Sequence, residues 1–135
     1  MKTYDRLRFS LMTEFKLKAE PHLRSLWADL MEMAAAADES TLSAAREQAL
    51  RRLLALSSAA GAANAHEVQT LGHALGLLVI TTTHVADASN YEVFDALCKK
   101  ARELTEALHA IQAPPPPSER ERQLAETPLV EFSAN

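Results

Sequence analysis

Apolar residues recur at three- and four-residue spacing along most of the chain, and the polar breaks between these stripes divide it into helices. Leu7, Leu11 and Phe15 share one face and predict a first helix over about 4–18. Pro21 suits the first turn of a second helix, whose apolar face is Leu23, Leu26, Trp27, Leu30, Met31 and Ala34. Asp38, Glu39 and Ser40 make a polar break and offer an N-cap for a third helix carrying Leu42, Ala49, Leu50, Leu53, Leu54 and Ala60. Asn64 marks a tight turn. A fourth helix with Val68, Leu71, Leu75 and Leu78 follows and frays near Thr81, Thr82 and Thr83, where β-branched side chains cluster. Asp87, Ser89 and Asn90 can cap a fifth helix bearing Phe94, Leu97, Cys98, Ala101, Leu104, Leu108 and Ile111.

These elements predict an all-α fold: four antiparallel helices with short connections form a bundle over residues 1–112, with an additional N-terminal helix across one end. Residues 113–135 change in character. Pro114 to Pro117 make a stiff extended spacer, a charged stretch follows, and TPLVEFSAN places Leu129, Val130 and Phe132 where they are bare unless they dock. The tail reads either as a passive end or as a tethered peptide that covers a groove on its own bundle or on a partner.

Composition narrows the function classes. The 135 residues are 47% hydrophobic and only 5% aromatic, which suits one helical core and leaves no length for a separate catalytic domain. With 14 basic and 18 acidic side chains the formal charge is −4, so there is no electrostatic footprint for nucleic acid. Cys98 stands alone, which excludes an intramolecular disulfide and a cysteine-rich zinc site. The charged N-terminal stretch does not read as a signal peptide, and no apolar run approaches the roughly 20 residues that cross a bilayer. A soluble cytoplasmic protein without membrane contact is expected.

All three glycines fall within residues 56–79, LSSAAGAANAHEVQTLGHALGLLV, inside what otherwise reads as helix. Each costs roughly 1 kcal/mol relative to Ala in a helix interior, so three together require a reason. Close helix packing is one, since Gly61, Gly72 and Gly76 lie among Ala59, Ala60, Ala62, Ala63 and Ala74. The run also resembles the active helix pair of histidine-containing phosphotransfer (HPt) domains, His-x-Leu-(Lys/Ala)-Gly-Ala-Ala followed by a turn and Leu-Gly-x-Ala-x-x-x-Leu. Ala60, Gly61, Ala62, Ala63, Leu71, Gly72, Ala74 and Leu78 fall in that register, and Ser57 takes the place of the phosphorylated histidine. Glu67 and Val79 depart from the family pattern, at positions where it has a turn glycine and often Glu.

The resemblance implies an HPt-like bundle with Ser57 exposed midway along its third helix. A phosphorelay needs imidazole, which attacks an acyl phosphate at neutral pH and passes the group onward; a serine hydroxyl without a paired base does neither. What the resemblance leaves is a docking face for a response-regulator receiver domain or a sensor kinase: Leu50, Leu53, Leu54, Ser57, Ser58, Ala60, Gly61 and Asn64, with Gln69 and Thr70 from the next helix. The implied protein is a non-catalytic adaptor that modulates two-component signalling, not an enzyme, and has no cofactor. An unrelated interaction bundle, such as a small chaperone or a homodimer, is the alternative from a different class. An active phosphotransfer protein using another histidine, such as His73, ranks behind both.

The remaining candidates are weaker. His66 and His73 are seven residues apart, but no carboxylate or cysteine completes a metal set. His22 lies in PHLRSL, a faint echo of sensor-kinase dimerisation helices that lacks their acidic residue and proline. His84 and His109 are expected in solvent. Ser57 and Ser58 lack a nucleophile-elbow context, and there is no phosphate-binding glycine loop. Cys98 shares the apolar stripe of the last helix and reads as an inert buried thiol, and Trp27 reads as a core anchor.

Overall fold

Residues 2–111 are described in the computed structural model. They form α1 (Lys2–Ala35), α2 (Glu39–Ala62), α3 (His66–Thr81), α4 (Val85–Ala88) and α5 (Tyr91–His109). No strand occurs among the described residues, and no helix there is long and apolar enough to cross a membrane. The long helices neighbour one another in a closed ring, α1 on α2, α2 on α3, α3 on α5 and α5 on α1, with the backbones of the diagonal pairs farther apart. Their shared core is aliphatic. Leu26, Leu30 and Met33 of α1, Leu42 of α2, Val68, Leu75 and Val79 of α3, and Leu97, Leu104 and Leu108 of α5 are all essentially inaccessible.

Local chemistry sets most of the boundaries. Asp38 caps α2, its Oδ1 accepting from the Thr41 amide at 2.7 Å. Asn64 ends α2 in the left-handed conformation at φ 61°, a region Asn enters more readily than most residues. The Ala65 amide then donates back to the Ala60 carbonyl at 2.8 Å, closing the helix in the manner of a Schellman turn. Asn90 caps α5, accepting from the amides of Glu92 and Val93 at 2.9 and 3.3 Å. The threonines end α3 as expected: Thr82 donates through Oγ1 to the Leu78 carbonyl, while its own carbonyl accepts from Arg46 of α2. The single turn α4 was not expected from the spacing; it is tied to the start of α2 by Glu39, whose Oε1 accepts from the Val85 amide at 3.3 Å.

The N-terminal region corrects the expectation of two helices. α1 passes through Pro21 without a break, so there is no additional N-terminal helix. Proline removes one amide donor and crowds the carbonyl four residues back, here that of Leu17. Pro21 and Leu17 both face solvent, where water can satisfy the freed carbonyl and the helix can bend away from the core. Residues 19, 23, 26, 30 and 33 keep one buried stripe on the core side. Of the expected N-terminal face only Phe15 is buried; Leu7 and Leu11 are 62% and 45% exposed. Helix length explains this. Asp29 of α1 meets Arg52 of α2, and from that point α2 continues about 15 Å to Ala62 whereas α1 reaches back about 40 Å to Lys2. The start of α1 overhangs the α2–α3 turn.

Two pairs of side chains bond α1 to its neighbours. Trp27 Nε1 donates to Thr105 Oγ1 of α5 at 3.1 Å, so this anchor is half-buried with its polar edge paired. Arg52 Nε donates to Asp29 Oδ2 at 2.6 Å, with the Asp29 side chain 7% exposed. Removing Arg52 strands a buried carboxylate, so Arg52→Ala is expected to lower stability by about 2 kcal/mol. The double variant Asp29→Ala/Arg52→Ala should lose less than the two single losses combined. Chemical denaturation of the four proteins checks both expectations, and additive losses would show that the pair is not coupled.

The Thr41 amide bonded to Asp38 holds that carboxyl below its ordinary range. A depressed folded-state value means that the contribution is complete above the ordinary carboxylate range and is lost as pH falls through the lowered value. Asp38→Asn keeps a capping oxygen that does not titrate. Melting temperature measured against pH should therefore fall less steeply on the acid side in Asp38→Asn than in the wild type.

Candidate docking groove between the second and third helices

Ser57 lies midway along α2 but does not face solvent. It is 2% exposed and points toward α3, where a Cβ placed on Gly72 would stand 2.5 Å from its Oγ. The helices approach here because residue 72 has no side chain. The expectation of an exposed Ser57 is thereby corrected: α2 is rich in Ala and Leu on every side, and the face that turned inward is the one that Gly72 could receive. Ser57 Oγ is buried and has no hydrogen-bond partner among the described residues.

The ten residues expected to form one docking face are distributed differently. Leu53, Ser57 and Ala60 are buried, which removes them as a flat contact surface. Leu50, Gly61 and Gln69 are half-buried, and Leu54, Ser58, Asn64 and Thr70 are exposed. Gly61 is not open to a partner either, because the Gln69 side chain folds over it, with Nε2 2.6 Å from where a Cβ would be. Leu129, Val130 and Phe132, expected to dock from the tail, lie outside the described residues.

What the structure brings together is a groove of about 440 Å³ farther from the turn, formed by Leu50, Leu53, Leu54 and Ser57 of α2 with Gly72, His73, Gly76, Leu77 and Ile80 of α3. Its lining is almost wholly apolar. Leu54, Leu77 and Ile80 on its walls are 68%, 66% and 52% exposed. A Cβ on Gly76 would meet nothing within 4 Å, so no contact among the described residues accounts for that glycine. None of the three glycines has a positive φ; space, not backbone conformation, distinguishes them.

The α3 half of this groove was absent from the sequence-based site. A signal for it existed: Leu77 and Ile80 lie off the stripe of Val68, Leu75 and Val79, making α3 apolar nearly all round, and an exposed helix of that kind implies a further contact.

The titratable groups offer little chemistry. His22, His66, His73, His84 and His109 are all exposed, and His73 stands on the groove's rim. Among the described residues no three His, Cys, Asp or Glu side chains converge as a metal set. Cys98 is half-buried, and burial pushes its thiol above the ordinary range, opposed by Arg102; the thiolate is correspondingly scarce. The chain matches no protein-family model, no curated protein and no solved structure.

The Ser57–Gly72 contact makes a testable cycle. Ser57→Ala removes an unsatisfied hydroxyl and should stabilise by about 1 kcal/mol. Gly72→Ala alone should destabilise, because overpacking of roughly 1–3 kcal/mol outweighs the helix-propensity gain of about 1 kcal/mol. With Ser57→Ala in place the nearest atom of residue 57 is its Cβ, 3.7 Å from the new methyl, and Gly72→Ala should become favourable. Thermal melts of the four proteins report the change of sign; strict additivity would mean that the two residues do not touch.

Proposed function

We propose that this protein is an HPt-like adaptor that binds a response-regulator receiver domain or a sensor kinase and alters two-component signalling without carrying phosphate. The observation that carries the reading is the open apolar groove between α2 and α3, with exposed Leu54, Leu77 and Ile80 on its walls. Glycine 76 in its lining leaves room for a partner's backbone or side chains to come close.

Two further features support the HPt-like fold. The closed ring of α1, α2, α3 and α5 reads as an antiparallel four-helix bundle, since Gly61 meets Gln69, Ser57 meets Gly72, and Trp27 meets Thr105. The Ala-Gly-Ala-Ala segment closes α2, with the left-handed Asn64 just beyond it. Ser57, in the acceptor register, is buried against Gly72, which removes the argument from the resemblance for docking at that residue and leaves the open groove to carry the reading. Its burial and its hydroxyl chemistry both oppose phosphoryl transfer, so the groove serves recognition alone.

Titration of the protein with isolated receiver domains of its source organism tests the proposal. At least one should bind, and Leu54→Asp or Leu77→Asp should weaken that binding tenfold or more, a loss of about 1.4 kcal/mol or greater, with helical content unchanged. Equal affinity in both variants would rule the groove out. A dimer dispersed by the same substitutions would replace the receiver with a second copy of the chain. Incubation with acetyl phosphate or a phosphorylated receiver should yield no acid-labile phosphate; label at His73, on the groove's rim, would convert the adaptor into a phosphotransfer protein with a displaced acceptor.

A further inference from the structure

We infer that a second groove, between α1 and α2, receives the C-terminal segment of this same chain, with Val130 and Phe132 inserted. The chain's exit from the bundle directs it there. Lys16 Nζ of α1 donates to the carbonyls of His109 and Ile111 at 3.3 and 3.1 Å, fixing the end of α5 against the flank of α1. On the adjoining side of α1, at the same end of the bundle, lies a groove of about 360 Å³ lined by Leu11, Phe15 and Ala19 of α1 and by Ala55, Ala59 and Ala62 of α2.

The groove lacks something to fill it. On its α2 side the exposed Ala55, Ala59 and Ala62 stand over buried Leu56 and Ala63, their small side chains leaving room for a large one, and Leu11 is 45% exposed beside them. No other element of the described fold covers this end, because α1 overhangs the α2–α3 turn there. The tail supplies what is missing. Seventeen residues separate Ile111 from Leu129, an extended reach of about 50 Å, several times the 10–12 Å or so of a helix diameter to be crossed. Pro114 to Pro117 stiffen the departure and lower the entropy lost on docking.

The segment's pattern fits the site. In an extended Leu129–Val130–Glu131–Phe132, Val130 and Phe132 project to one side and Glu131 to the other. The apolar pair enters while the carboxylate stays in water, at a rim that carries His22 and the Lys18–Glu14 ion pair. The α2–α3 groove is the less accessible alternative: α3 also flanks α5, but that groove runs along Leu50–Ser57 and Gly72–Ile80, away from the α2–α3 turn and so farther from the end of the bundle where the tail leaves beside Lys16. Attachment to the same chain raises the local concentration of the segment and favours occupation in cis.

Amide NMR spectra of the full chain and of the full-length variant Leu129→Ser/Val130→Ser/Phe132→Ser test the inference without altering any residue of the bundle. The largest shift differences are expected at Leu11, Ala55, Ala59 and Ala62, with His73 and Ile80 unchanged and no dependence on protein concentration. Ala59→Glu, on the exposed wall, should reciprocally move the amides of 129–133 toward their positions in an isolated 127–135 peptide. Unchanged groove amides, or differences centred on His73 and Ile80, would overturn the proposal. Shifts that grow with concentration would also overturn it, because the occupant would then be the tail of another copy.

Discussion

Where Ser57 meets Gly72, α2 and α3 come so close that one added methyl group would strike a buried hydroxyl. Other features of the hairpin follow from this approach. The left-handed Asn64 reverses the chain within a short turn, allowing α3 to start back along α2. Beyond the contact, Gly76 leaves a gap that no side chain among the described residues fills, and the groove opens between the helix surfaces there. A larger residue at 72 would push the helices apart and a larger one at 76 would close the gap. The two glycines thus perform different tasks, one drawing helices together and the other keeping a surface open.

The groove's chemistry bounds what it can do. Full burial of a Leu or Ile contributes roughly 1.5–3 kcal/mol, so covering Leu54, Leu77 and Ile80 supplies a useful but limited share of association energy against the cost of immobilising two proteins. That suits a reversible contact better than a permanent assembly. Ser57 Oγ is already sealed against Gly72 beneath the groove, so the surface offered to a partner is apolar.

Much of the fold was legible because its determinants are local. Asp38 and Asn90 announce their helix starts through side chains that bond amides two or three residues on, and Asn64 announces a turn through its tolerance of positive φ. Pro21 misled for the opposite reason: whether proline ends a helix depends on which way the freed carbonyl faces, and that is decided by packing. The orientation of Ser57 was illegible because an alanine-rich helix has weak contrast between faces; Leu54, Ala55, Ala59 and Ala62 remain outside although they are as apolar as many residues within. The short α4 depends on Glu39, 46 positions away along the chain from the amide it binds. Of the α2 and turn residues read from the sequence, Leu50, Leu53, Leu54 and Ser57 line the groove while Ser58, Ala60, Gly61 and Asn64 do not, and the α3 lining depended on the packing of the hairpin.

Methyl-detected NMR of the full-length protein, titrated with a receiver domain that binds it, tests most directly that the groove above the Ser57–Gly72 contact is the working surface. The expected result is broadening or shifting of the Leu50, Leu54, Leu77 and Ile80 methyls, with core methyls such as those of Leu30 and Leu104 unmoved. Perturbation centred instead on α5 or on the exposed start of α1, with the groove methyls silent, would contradict the account.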